Sequence, residues 1–298
     1  MENFNTLIHF HIGRTGGIGL RENILRRKFK SNFKLITVNK IHKLKTKYTL
    51  LLSDLIKLDD IQKSNIKCIA GHMPFGIHNI FPQRCVYISL VRSPIERTLS
   101  EYYSLKMAPD HPFHKYVMPI HKLSLEDFIR LDVRQINLPN DIYMGAGVQN
   151  QQTHFFNGTL YRSALGDFAP PYEVSLDRAI DNIRKYFLFV GTIEDYDMFL
   201  LLLMKKMGWK FSDIFYTFRK FAFTKIKPKR EKISNKIIDL IERYNTDDCI
   251  LYDFVNNRFN EEIKQFTNFK EDLEKFKKMN LFYGNLYVKL YFRFIANS

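Results

Sequence analysis

Cysteine is scarce in this chain: its 298 residues hold three, Cys68, Cys85 and Cys249. They have no CxxC spacing and form an odd set, which indicates neither a zinc site nor a disulfide scaffold. A reducing compartment fits that usage. Long hydrophobic runs are also missing. The longest obvious one is Phe199 to Met204, well short of the roughly 20 apolar residues a membrane-spanning helix requires. Residues Met1 to Thr6 lack a basic stretch followed by an apolar one, so neither a secretory leader nor membrane spanning is expected. Internal repeats and low-complexity linkers are absent. Carboxylates are in deficit, with 31 aspartates and glutamates against 46 lysines and arginines, a net charge of +15.

The material for a core is ample. Hydrophobic residues make up 45% and aromatics 15% of the chain, and the mean hydropathy is −0.26, which excludes disordered and fibrous classes. The length suits one large α/β domain. The cationic excess points to an anionic partner: nucleic acid, an anionic membrane surface, or a small phosphate- or sulfate-bearing ligand.

Short apolar runs read as strands at residues 7–12, 33–38, 66–70, 85–91 and 187–190. Between them lie stretches with helical periodicity. The first, residues 18–30, follows Gly13-Arg14-Thr15-Gly16-Gly17; another opens on Pro94, placed as the first helical residue, and carries Leu99, Tyr102 and Tyr103. Strands alternating with helices predict a mainly parallel central sheet flanked by helices. Beyond residue 108 the pattern turns helical, with a capping-box-like start at Ser124 to Asp127 and helices expected over 194–207, 231–244, 248–259 and 271–279.

Ligands in such sheets sit at the carboxyl ends of the strands, and two strands here end in loops suited to anions. In Gly13-Arg14-Thr15-Gly16-Gly17 the glycines let backbone N–H groups approach a phosphate, the following helix contributes its positive end, and Arg14 a fixed charge. The spacing is not that of a Walker A loop. In the second loop Arg92 closes a strand and Ser100 follows eight residues later on the helix, where a hydroxyl can meet the same anion. Glu96, Arg97 and Glu101 read as surface charges, with Arg97 and Glu101 at i,i+4 spacing. Two anion loops on one sheet edge suit a ligand with two phosphate groups.

The residues also carry a family resemblance. His11-Ile12-Gly13-Arg14-Thr15-Gly16-Gly17-Ile18-Gly19-Leu20 is similar to the 5′-phosphosulfate motif HIPKTGGTSL of carbohydrate sulfotransferases of the heparan-sulfate type, and Val91-Arg92-Ser93-Pro94 through Tyr103 resembles their 3′-phosphate motif LRDPVxRxxSxYY. Further similarity lies in Gly71-His72-Met73-Pro74-Phe75-Gly76, in 150–158, in 189–196 and in 248–254, so it spans roughly residues 7 to 259. It implies a P-loop-like sulfotransferase fold with 3′-phosphoadenosine 5′-phosphosulfate (PAPS) as donor substrate. On it, Arg14, Thr15, Gly16 and Gly17 would hold the 5′-phosphosulfate, Arg92 and Ser100 the 3′-phosphate, and His72 would act as base toward a hydroxyl of a glycan or glycolipid acceptor. No metal is expected, because arginines and backbone N–H groups meet the phosphate charge.

The chain departs from those motifs at several positions. Gly13 stands where the family has proline, Arg14 where it has lysine, Ile18 and Gly19 where it has threonine and serine, Ser93 where it has aspartate, and His154 where it has arginine. Arginine keeps the charge but donates no proton at neutral pH. The alternative reading is therefore a catalytically impaired nucleotide-binding regulatory protein of the same fold. A basic nucleic-acid-binding protein is less favoured, since the chain lacks an aromatic-laced RNA motif and a helix-turn-helix signature. His9 and His11 alternate with Phe10 and read as packing groups; Gln152 and Thr153 read as loop residues satisfying backbone groups. The cations Lys225, Lys227, Lys229 and Arg230 form a basic loop. Residues 1–280 are expected to form the catalytic domain and 281–298 an aromatic, basic tail that packs on the domain or rests on a membrane interface. The location expected is the cytoplasm, with peripheral membrane contact through that tail.

Overall fold

The computed structural model describes residues 4–37, 48–73, 75–108, 123–131, 149–158, 174–217 and 233–296. Six strands, β1 (Thr6–Phe10), β2 (Phe33–Thr37), β3 (Thr49–Leu51), β4 (Cys68–Gly71), β5 (Cys85–Val91) and β6 (Phe187–Thr192), form one sheet in the order β3-β2-β4-β1-β5-β6. Every pairing is parallel. The chain is an α/β protein with a helical C-terminal half.

Central β1 is buried along its whole length, as a parallel strand covered on both faces must be. Side chains alternate between the faces, and the core divides accordingly. Ile8 and Phe10 join one cluster with Phe75, Tyr87, Phe155, Phe156 and Phe187, in which Phe10 sits among the rings at centroid separations of 5.7–6.3 Å. Leu7 joins the other, built on Leu20, Ile24, Leu25 and the run Phe199 to Leu203. His9 and His11 project on the Leu7 face and are buried there.

Helix α1 (residues 17–29) follows β1 and contains a π-helical stretch, Leu20–Leu25, between two α-helical pieces. The next long helix, α2 (Pro94–Lys106), starts on Pro94 as expected. The Ser124 capping box forms, with Asp127 as its reciprocal partner. Strand ends differ slightly from the sequence reading: β1 stops at Phe10 rather than residue 12, and β6 runs on to Thr192. Edge strand β3 was not anticipated. The expected helices 248–259 and 271–279 are longer in the fold, as α3 (Thr246–Lys264) and α4 (Phe269–Ala296), and α4 runs through the boundary expected at residue 280. Lys225, Lys227, Lys229 and Arg230 lie outside the described residues, as does Pro74.

Chain order and sheet order together define the crevice. The connection leaving β1 leads to β2 on one side, and that leaving β5 leads to β6 on the other, while β1 and β5 are neighbours. Their carboxyl ends therefore flank a topological switch point, where open parallel sheets bind ligands. Both anion loops read from the sequence leave the sheet there.

Candidate functional site

Arg14 shapes the first loop. Its backbone is left-handed at φ 69, an uncommon state for a residue with a side chain and one that concentrates at functional sites. That turn presents the Arg14 carbonyl to the Arg92 guanidinium, whose Nη1 donates to it at 3.2 Å. The Arg14 side chain meanwhile crosses to α2, donating from Nε and Nη2 to the Ser100 hydroxyl at 3.3 and 3.2 Å. Three of the sequence-selected residues, 86 positions apart at the extremes, are thus joined directly.

Gly16 and Gly17 are there for different reasons. Gly16 has φ +80, and a Cβ on it would meet Ile193 Cδ1 at 2.2 Å. Gly17 opens α1, and a Cβ there would lie 2.2 Å from His11 Cδ2. Thr15 is buried, its hydroxyl donating inward to the Ile12 carbonyl at 2.9 Å; what Thr15 offers an anion is its backbone.

Carboxylates temper the cations. Arg92 Nη2 donates to Glu96 Oε2 at 3.3 Å, and Arg14 Nε lies 3.9 Å from Glu101 Oε2. Burial raises the Glu101 pKa against the pull of Arg14 and Arg97. Burial also lowers the Arg92 pKa, which Glu96 and Glu194 oppose, though a guanidinium remains charged throughout the working range. Helical i,i+4 pairs contribute about 0.3–0.5 kcal/mol, and the part-buried pair of Arg92 and Glu96 is the one a phosphate has to displace.

Sequence reasoning missed the scaffold behind these groups. Arg97 is not a surface charge but fully buried, hydrogen-bonded to Gln151, with its charge acting on Asp248 and Glu101. Gln152 and Thr153 lie not in a loop but on a short helix (Gln151–Asn157). The Gln152 amide clasps Arg92 from both sides, accepting from its N–H and donating to its carbonyl, each at 2.9 Å. Asp248 accepts from Gln152 N at 3.1 Å, Thr153 N at 2.8 Å and Thr153 Oγ1 at 2.9 Å. Ser93 N donates to Glu194 Oε1 at 3.1 Å. Apart from Arg97 and Glu101, which stand at i,i+4, every link spans at least 54 residues, so no local spacing rule exposes the rest. The similarity over 150–158, 189–196 and 248–254, which hold Gln151, Gln152, Thr153, Glu194 and Asp248, was the signal present.

His72 follows β4, on the other side of β1. Its Nδ1 lies 2.9 Å from the His11 carbonyl. Because a carbonyl only accepts, Nδ1 carries the proton and Nε2 of the neutral ring holds the basic lone pair. Its ring stacks on His11 at 4.3 Å, and His11 stacks on His9 at 5.5 Å. Burial drives the His9 pKa down to about 3 and that of His11 well below the usual histidine range, with His72 and Arg21 adding to both shifts. The inner two rings are neutral supports, as the sequence suggested. Of the three rings, only His72 is half-buried.

No family model matches the chain, and neither does any curated protein sequence. Among the described residues, no group of histidine, cysteine or carboxylate side chains is arranged to hold a metal ion.

Proposed function

We propose that this protein transfers a sulfuryl group from PAPS to a hydroxyl of a glycan or glycolipid. One observation carries the reading: the two loops with sulfotransferase-like motifs leave the sheet at its switch point, and Arg14, Arg92 and Ser100 are hydrogen-bonded there into one constellation. The residues fit such a donor in kind. Two guanidiniums supply forked N–H donors for phosphate oxygens, Ser100 supplies a hydroxyl, and Gly16 and Gly17 leave the start of α1 without side chains over the loop.

The donor supplies an activated sulfur on a good leaving phosphate. In the transfer the acceptor oxygen forms a bond to sulfur while the sulfur–oxygen bond to the phosphate breaks, and the hydroxyl proton goes to His72 Nε2. Arg14 and the loop N–H groups meet the charge that shifts onto the leaving phosphate, and such preorganised donors contribute most where charge develops. The His11 carbonyl holds His72 in the proton-accepting tautomer.

A second reading, nucleotide binding without transfer, draws on the Arg14 side chain. It is engaged with Ser100 and Glu101 and, as arginine, gives no proton to a leaving group. Calorimetry with adenosine 3′,5′-bisphosphate tests what the two readings share: wild type binds, and Arg92→Ala binds roughly 10- to 100-fold more weakly, the loss of a charge-assisted bond worth about 1.5–3 kcal/mol. Absence of binding by wild type refutes both. Transfer of labelled sulfate to a glycan panel separates them, with His72→Ala abolishing transfer and sparing affinity if His72 is the base.

A further inference from the structure

The end of α4 is built for two different neighbours. One side of it packs on the domain as far as Gly284: Phe276 is fully buried, Asn280 Oδ1 accepts from Tyr216 N at 2.9 Å, Gly284 is buried, and Tyr283 stacks on Phe215 at 6.2 Å. Beyond Met279, among the described side chains, Leu281 is 77% exposed, Phe282 76%, Leu286 58% and Leu290 44%. Phe282, Leu286 and Leu290 recur every four residues and so share one stripe. Monomeric surfaces carry single exposed leucines without consequence, but a run of four large apolar groups marks an interaction site.

Charge selects the occupant. From residue 275 to 298 the sequence holds five cations and no carboxylate side chain; Lys277 pairs with Glu274 at 3.2 Å and Lys275 lies over the Phe211 ring at 5.3 Å, while Lys278, Lys289 and Arg293 stand at the helical spacing of the apolar stripe. A second copy of the helix laid on this face would bring like charges together, whereas an anionic surface complements them. The same stretch carries Phe282, Tyr283, Tyr287, Tyr291, Phe292 and Phe294, and basic helices with apolar and aromatic side chains lie in the headgroup plane. No described helix is long and apolar enough to cross a membrane, so the helix lies on a bilayer rather than through it. We propose that the outer face of the C-terminal half of α4 docks the protein onto an anionic lipid bilayer. This stands independently of the proposed sulfuryl transfer.

Co-sedimentation of the full chain with vesicles tests it. Wild type pellets with vesicles of phosphatidylcholine containing phosphatidylserine, remains in solution with phosphatidylcholine alone, and is released as salt rises. The triple variant Phe282→Ser/Leu286→Ser/Leu290→Ser, with unchanged helical circular dichroism, partitions roughly 100-fold less, as expected when three exposed side chains no longer enter the apolar layer. Lys278→Gln/Lys289→Gln/Arg293→Gln loses about fivefold per cation on the anionic vesicles. Failure of wild type to bind anionic vesicles overturns the proposal, as does equal binding by the serine variant. A concentration-dependent dimer that the serine variant abolishes, without vesicle binding, assigns the face to a second copy instead.

Discussion

Adding a single methyl group to Gly17 tests how the candidate donor loop is tied to the candidate base. Gly17 is the first residue of α1, and a Cβ there would sit 2.2 Å from Cδ2, 2.7 Å from Nε2 and 2.8 Å from Cγ of His11. The ring cannot retreat, because it is 3% exposed and held between His9 at 5.5 Å and His72 at 4.3 Å. Overpacking of this kind costs about 1–3 kcal/mol, against a gain of about 0.5–1 kcal/mol from replacing glycine by alanine in a helix. Gly17→Ala should therefore be less stable by roughly 1–2 kcal/mol, lowering Tm by roughly 2–8 °C. Gly19→Ala is the control: its backbone is helical at φ −60 and ψ −48, and its Cβ would meet only the Tyr196 hydroxyl at 3.4 Å. The same helix gain, without the clash, should raise Tm by a few degrees. Thermal melts of the two variants beside wild type decide the matter. If Gly17→Ala melts at or above wild type while Gly19→Ala behaves as stated, the His11 ring is not the fixed wall between loop and base.

Glu96→Gln should bind adenosine 3′,5′-bisphosphate at least about twofold more tightly by calorimetry, because Arg92 loses an i,i+4 competitor worth about 0.3–0.5 kcal/mol; weaker binding would place the anion away from Arg92. Stability should fall on acidification, since the folded state holds the His9 pKa at about 3 while the unfolded chain titrates near 6.5. The unfolded state then binds the extra proton between those values, so the contribution is complete above pH 6.5 and is lost as pH falls toward 3. Urea titrations at pH 6.5 and 5 should show His9→Leu losing roughly 2 kcal/mol less than wild type over that interval, and an equal slope would contradict the burial argument. Asp248→Ala, which strands three donors and removes one of the two carboxyls that face the buried Arg97 charge, should cost about 3–5 kcal/mol in urea unfolding. A loss below about 1 kcal/mol, the range of an exposed pair, would mean solvent reaches that network.

The strands were legible where burial on both faces forces an unbroken apolar run. Cys85 to Val91 forms the strand read from it, residue for residue. Strand β3 escaped because Thr49-Leu50-Leu51 is three residues at a sheet edge, too short for a period. The C-terminal helix was cut short by Gly284 and an aromatic-rich sequence, both poor in helix propensity; the fold uses that glycine where the helix meets Tyr216. At the site, residues that follow a strand were found and those that support them were not. Arg14, Arg92 and Ser100 belong to motifs with local spacing. Arg97 was read as an i,i+4 ion pair with Glu101, an interaction the fold keeps but buries, and its further partners Gln151 and Asp248 arrive from far along the chain.

The overall charge of +15 suggested an anion, yet the candidate site is not where the excess accumulates. Around Arg14, Arg92 and Arg97 stand Glu96, Glu101, Glu194 and Asp248, four carboxyls to three guanidiniums. Burial pushes the Glu101 and Asp248 pKa values up, against the pull of the neighbouring guanidiniums. A site so nearly balanced attracts an anion weakly at long range. Its selectivity has to come from donors aimed at short range: the Arg92 fork, the Ser100 hydroxyl and the backbone at the start of α1. The C-terminal half of α4 is the opposite case in sequence, holding Lys289 and Arg293 and no carboxylate side chain. The two features proposed to meet anions therefore rest on different physics, directional hydrogen bonding in the crevice and salt-sensitive surface charge on the helix.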